Sequence, residues 1–175
     1  MARRLDAVFL DRRHHQRQGA RREYITAPAQ LRLLPGAAEG IRMLNRAGVP
    51  VVVVTNQRGI ALGLMDEADL TSIHSRLHQL LHDHDAQVDG IFHCPHDKGT
   101  CDCRKPGTLM LRRARDSLGL TTLRHCVMIG DSSSDIEAGR RAGARTVLLR
   151  GGEVAAQRVD VAPTLLDAVR RELDA

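Results

Sequence analysis

Aromatic residues are almost missing from this chain, which has two Phe, one Tyr and no Trp among 175 residues. Proteins that grip single-stranded bases stack them on aromatic rings. A nucleic-acid partner is therefore not expected, despite a net charge of +5 and a pI near 9.6. The basic residues are scattered as pairs, Arg21-Arg22, Arg112-Arg113, Arg140-Arg141 and Arg170-Arg171, which fits solvated helix faces and an anionic small substrate. No apolar run approaches the roughly 18 residues needed to cross a bilayer, and the opening Met-Ala-Arg-Arg-Leu-Asp lacks the apolar core of a signal peptide. No membrane partner and a cytoplasmic location are expected. A disulfide framework is missing too. Of the four cysteines, Cys94, Cys101 and Cys103 crowd into one short stretch and Cys126 lies in an apolar run, a clustering that points to a metal.

What is present is enough apolar residue, 42%, to bury one core, so a single monomeric domain over residues 1–175 is expected. Apolar runs alternate with amphipathic stretches, the pattern of a doubly wound, Rossmann-like parallel α/β sheet. The strands are predicted at Ala7–Leu10, Val49–Thr55, Gly90–Cys94, Cys126–Gly130 and Thr146–Leu149. The unbroken apolar run at Val49–Val54 predicts a central strand, buried on both faces. Helices are predicted at Gly36–Ala47, Glu67–Asp83 with Asp66 as N-cap, Thr108–Leu118, Asp135–Ala142 and Pro163–Leu173. The irregular segments 11–34, 56–65 and 95–107 follow strand ends, where open α/β sheets bind ligands.

Chemistry-bearing residues recur at those strand ends. Asp11 ends one strand, Thr55-Asn56-Gln57 ends the next, Lys105 follows a later loop, and Gly130-Asp131-Ser132-Ser133-Ser134-Asp135 ends another. Phosphoryl transfer explains the set. It needs a carboxylate nucleophile (Asp11), a cation for the equatorial oxygens (Lys105), hydroxyl or amide donors (Thr55, Asn56) and a divalent metal held by acidic oxygens (Asp131, with Asp135 as a weaker candidate). Hard carboxylate ligands favour Mg2+.

In this order the motifs resemble the haloacid dehalogenase superfamily of phosphatases across nearly the whole chain. The stretch Cys94-Pro95-His96…Cys101-Asp102-Cys103-Arg104-Lys105-Pro106 resembles the zinc loop of its minimal-cap group, which contains the heptose bisphosphate and histidinol-phosphate phosphatases. The resemblance implies a Mg2+-dependent phosphomonoester hydrolase. Its substrate would be a small phosphorylated sugar, cleaved at the 7-phosphate of a heptose 1,7-bisphosphate through an aspartyl-phosphate. It also gives Lys105 the phosphate-stabilising role, Arg104 a substrate-recognition role, and Asn56 and Gln57 places in the substrate site. Independently of the resemblance, Cys94, His96, Cys101 and Cys103 supply one imidazole and three thiols. They form a closed four-ligand set of the structural Zn2+ kind; the alternative is unbonded thiols around an ordinary loop histidine.

One position departs from the resemblance. The family pattern reads Asp-Arg-Asp-Gly-Thr-Ile-Asn, and its second aspartate protonates the leaving group and then activates water; here that place is Arg13. Arginine is no general base at neutral pH. Codons for Asp-Gly-Thr-Ile-Asn, written GAC GGC ACC ATC AAC and read one nucleotide early after a C, give Arg-Arg-His-His-Gln, the sequence of Arg12 to Gln16. A local frameshift, compensated before Tyr24, accounts for the match, with ordinary divergence as the alternative. Three functional readings stay open: a heptose bisphosphate phosphatase, a histidinol-phosphate phosphatase, and a pseudoenzyme that binds sugar phosphate without hydrolysing it. The stripe His74, His78, His82 reads as a mixed polar helix face rather than a metal site.

Overall fold

The computed structural model describes residues 4–12, 24–149 and 159–175. Among them, six strands form one all-parallel sheet: β1 (Ala7–Leu10), β2 (Val51–Asn56), β3 (Gly90–Cys94), β4 (Cys126–Gly130), β5 (Arg145–Leu149) and β6 (Asp160–Ala162). The helices are α1 (Ala37–Arg46), α2 (Arg58–Ala61), α3 (Glu67–His82), α4 (Leu109–Ser117), α5 (Ser133–Arg141) and α6 (Leu165–Asp174). Both the parallel sheet and its helical covering match the sequence expectation. The unpredicted elements are short: α2 has four residues, β6 three and a 3-10 turn at Pro28–Gln30 three, too few to carry a periodic signal.

Why the strands read as continuous apolar runs is clear from the core. Along β1, Val8 and Leu10 pack with Ile41 of α1, Ile73 of α3 and Val169 of α6, whereas Ala7 and Phe9 pack with Met110 and Leu111 of α4 and Ala138 of α5. Successive residues of β2 and β4 divide between the same two layers. Helices on both faces leave no polar side for alternation. Burying one such side chain stabilises the fold by roughly 1.5–3 kcal/mol.

The strand order is β3-β2-β1-β4-β5-β6. Val51–Asn56 is therefore interior but second from the edge, and the middle belongs to β1 and β4. The β2 run is apolar because helices cover both its faces, a property that does not require the central position. Chain direction across the sheet reverses between β1 and β4, and open α/β folds bind ligands just past the carboxyl ends of the strands at such a switch point. Leu10 pairs with Ile129, which sets the residues that follow, Asp11 and Gly130-Asp131, side by side.

Local capping fixes the neighbouring helices. Asp66 accepts from the Asp69 amide at 2.8 Å and its own amide donates to Asp69 Oδ2 at 3.0 Å, a capping box that starts α3. At α5 the cap is Ser132, three residues before the predicted start.

Candidate active site

Lys105 is the hub of the site. Its side chain is 2% exposed, and the ammonium donates to Asp11 Oδ1 at 2.9 Å, Asp135 Oδ1 at 2.6 Å and the Val54 carbonyl at 2.7 Å. Three protons meet three acceptors, which is how a buried lysine avoids an uncompensated charge. Burial alone would strip that charge; Asp11 and then Asp135 outweigh it and hold the ammonium above its ordinary pKa.

The backbone of Lys105 is fixed as well. Asn56 Oδ1 accepts from its amide at 3.0 Å and Asn56 Nδ2 donates to its carbonyl at 3.2 Å. The Lys105-Pro106 peptide is cis. Beyond it, a Cβ on Gly107 would come within 2.3 Å of the Asp102 carbonyl oxygen, so only glycine closes this turn. Thr55 and Gln57 are buried, with Gln57 Nε2 donating to Thr55 Oγ1 at 2.8 Å. In this arrangement the amides of Asn56 and Gln57 are engaged within the protein.

Asp11, Asp131 and Asp135 bring their carboxylate oxygens within 4.8 Å of one another. They differ in what they can offer. Asp135 Oδ1 takes Lys105, while its Oδ2 accepts from the Ser132 amide at 3.1 Å and the Ser132 hydroxyl at 2.8 Å. Gly130 permits this, since a Cβ there would lie 2.3 Å from Asp135 Oδ2. Asp11 and Asp131 are the pair suited to a hard cation, with Asp135 behind them. Ser132 was missed by sequence reasoning, although Ser-x-x-Asp ahead of an apolar residue is a legible cap signature. Arg13, at the place of the family's acid and base, lies outside the described residues.

Beside Asp11 and Asp131 opens an apolar cavity of about 300 Å³, walled by Leu34, Pro35, Ile129 and Leu165. Its walls offer little to a hydroxyl-rich ligand. Elsewhere on the loop that carries Lys105, Arg104 Nη1 is buried with no hydrogen-bond acceptor among the described residues.

The predicted metal loop also assembles. Cys103 Sγ lies 3.1 Å from Cys94 Sγ, 3.4 Å from Cys101 Sγ and 3.2 Å from His96 Nδ1; Cys94 Sγ is 3.5 Å from both Cys101 Sγ and His96 Nδ1. Thiolate–zinc bonds of about 2.3 Å give a tetrahedron with edges of roughly 3.8 Å, so the donors need open only slightly to take zinc. Burial pushes the Cys94 thiol up to about 12, and metal binding there would release its proton.

Of the histidine stripe, His78 and His82 are exposed. His74 is not: it turns inward beside Arg12, its ring 5.9 Å from that of His93, and burial lowers its pKa to about 3. The polar-face reading fails for this one residue.

Comparison with known proteins agrees with this geometry. A family model described as HAD-hydrolase-like matches residues 102–173. The D-glycero-beta-D-manno-heptose-1,7-bisphosphate 7-phosphatase of Salmonella typhi is 34% identical, over 97% of this chain and 94% of its own. Its counterpart in Pseudomonas aeruginosa is 41% identical, over 69% of this chain and 67% of its own. The crystal structure of D,D-heptose 1,7-bisphosphate phosphatase from B. bronchiseptica, complexed with magnesium and phosphate, superposes with a TM-score of 0.85 at 30% identity, covering 95% of this chain and 97% of that one. With the sheet, the carboxylate cluster and the cysteine loop already in place, these likenesses make the chain a member of the haloacid dehalogenase-like hydrolases, in the heptose bisphosphate phosphatase family.

Proposed function

We propose that this chain binds D-glycero-D-manno-heptose 1,7-bisphosphate as a monomer in the cytoplasm and that its site is built to remove the 7-phosphate. The observation that carries the reading is the convergence of Asp11, Lys105, Asp131 and Asp135 at the β1–β4 switch point. Asp11 attacks the phosphorus, forming an aspartyl-phosphate as the P–O bond to the sugar breaks and the leaving oxygen takes a proton from water. A second water then attacks the aspartyl-phosphate, freeing inorganic phosphate and restoring the Asp11 carboxylate. Lys105 neutralises the phosphoryl oxygens, and Thr55 at the end of β2 assists in holding them. Asn56 positions Lys105, Gln57 positions Thr55, and Arg104 recognises the remainder of the substrate. Asp11 and Asp131 would hold Mg2+, which when bound offsets the negative charge that Asp11 and the phosphate bring together. Asp135 supports the cluster by orienting Lys105. Cys94, His96, Cys101 and Cys103 would hold a structural Zn2+ that orders the loop carrying Arg104 and Lys105.

Turnover rates with the heptose bisphosphate and with histidinol phosphate separate the two enzyme readings. Preference for the heptose is expected; preference for histidinol phosphate would overturn the assignment. A second reading, binding without hydrolysis, has one observation in its favour, Arg13 at the place of the acid and base. We attribute that residue to the local frameshift.

A further inference from the structure

Between its metal-binding donors, the cysteine loop turns through Asp97, Lys98, Gly99 and Thr100. Among the described residues, one side-chain hydrogen bond joins this turn to the rest of the protein: Arg58 Nε donates to Asp97 Oδ1 at 2.5 Å. Both ends are braced. Arg58 is the first residue of α2, directly after Gln57, whose amide donates to the Cys94 carbonyl at 2.7 Å, and the Tyr24 hydroxyl is a second polar neighbour of its guanidinium. Asp97 is held by the Lys98 amide, which donates to Oδ1 at 2.6 Å, and its carbonyl accepts from Thr100 Oγ1 at 3.0 Å. Asp97 is also close enough to Arg104 to feel its charge. The pair is 31% and 42% exposed, so it contributes little to global stability. Its placement gives it a different use.

We propose that Arg58 and Asp97 form a strap, two positioning residues that tie the cysteine loop to α2 and thereby set where the Arg104 guanidinium points into the substrate site. The strap rests on the zinc-loop and Arg104 assignments made above. Neither residue touches the reacting phosphate. Losing the strap leaves the four metal donors in place but lets the turn between them swing, so zinc escapes faster and Arg104 samples orientations that do not meet the substrate.

The test uses the full chain, measuring zinc release to a chromogenic chelator and the affinity for the heptose bisphosphate by calorimetry. Arg58→Ala and Asp97→Asn are each expected to speed release about two- to fivefold, the range an exposed ion pair supports, and to weaken sugar binding. The double variant should be no worse than either single one. The swap Arg58→Asp with Asp97→Arg should recover the parent's slow release, which a merely local packing role would not produce. Unchanged release in both single variants, or additive effects without rescue by the swap, would overturn the strap. If the parent holds no zinc, the zinc assignment fails by itself. Amide exchange over residues 95–103 then decides: faster exchange in Arg58→Ala supports the strap, and unchanged exchange overturns it.

Discussion

The ammonium of Lys105 lies 2.9 Å from Asp11 Oδ1, across a sequence separation of 94 residues. Asp11 is set by β1, while Lys105 is delivered by the turn after the cysteine loop and clamped there by Asn56. Asp11 and its counter-charge are therefore only as well aligned as β2 and that turn make them.

Replacing Lys105 with Met leaves two buried carboxylates, Asp11 and Asp135, without their cation. The expected loss is about 3–5 kcal/mol of unfolding free energy, and adding Asp135→Asn should recover part of it. Urea denaturation of the three chains reads this, and a Lys105→Met variant as stable as the parent would contradict the ion cluster.

Gly130→Ala forces a methyl group into the space of the Asp135 carboxylate. Overpacking of that kind costs about 1–3 kcal/mol, and here it should also displace Asp135 from Lys105. A crystal structure of the variant with the Asp135–Lys105 contact intact would show that the glycine is dispensable.

Zinc removal should act on the loop before the sheet. Cys101→Ser is expected to drop the zinc content of purified protein to near zero and to lower the melting temperature. Parent protein that contains no zinc, or a variant that melts with the parent, would count against the metal loop.

The half-buried His74 makes stability pH-dependent. Its pKa is about 3 in the fold, against roughly 6.5 unfolded, so between those values the unfolded chain binds the extra proton and stability falls as pH drops. The contribution is fully present above about 6.5 and is lost toward about 3. His74→Leu should flatten the decline in urea midpoint between pH 7 and pH 5. Parallel declines in both chains would assign the acid sensitivity elsewhere.

The sheet was legible because a strand covered on both faces leaves an uninterrupted apolar run, as Val51 to Val54 does. Rank within the sheet was not, since strand order depends on which runs pair, and β1, β2 and β4 are all apolar runs buried nearly throughout. The donors Cys94, His96, Cys101 and Cys103 declared themselves by density within one loop. Long-range partnerships were harder to see. Nothing in the residue pattern says that the Asn56 amide closes on the Lys105 backbone, or that Asp135 uses both oxygens within the protein, because those facts follow from three-dimensional placement. His74 was misjudged for a related reason: helical spacing defines a stripe, but Arg12 and His93 decide that one end of it turns inward.

Phosphate release from D-glycero-D-manno-heptose 1,7-bisphosphate, measured for two chains side by side, tests most directly whether Asp11 and Lys105 form a phosphatase site lacking only its proton-transfer group. One chain has the present sequence; the other carries Arg13→Asp, His14→Gly, His15→Thr, Gln16→Ile and Arg17→Asn. Both should bind the sugar, and the repaired chain should release phosphate about 10²–10⁴ times faster, the usual worth of a positioned acid and base. Equal rates, or a repaired chain that binds the sugar and releases nothing, would contradict it.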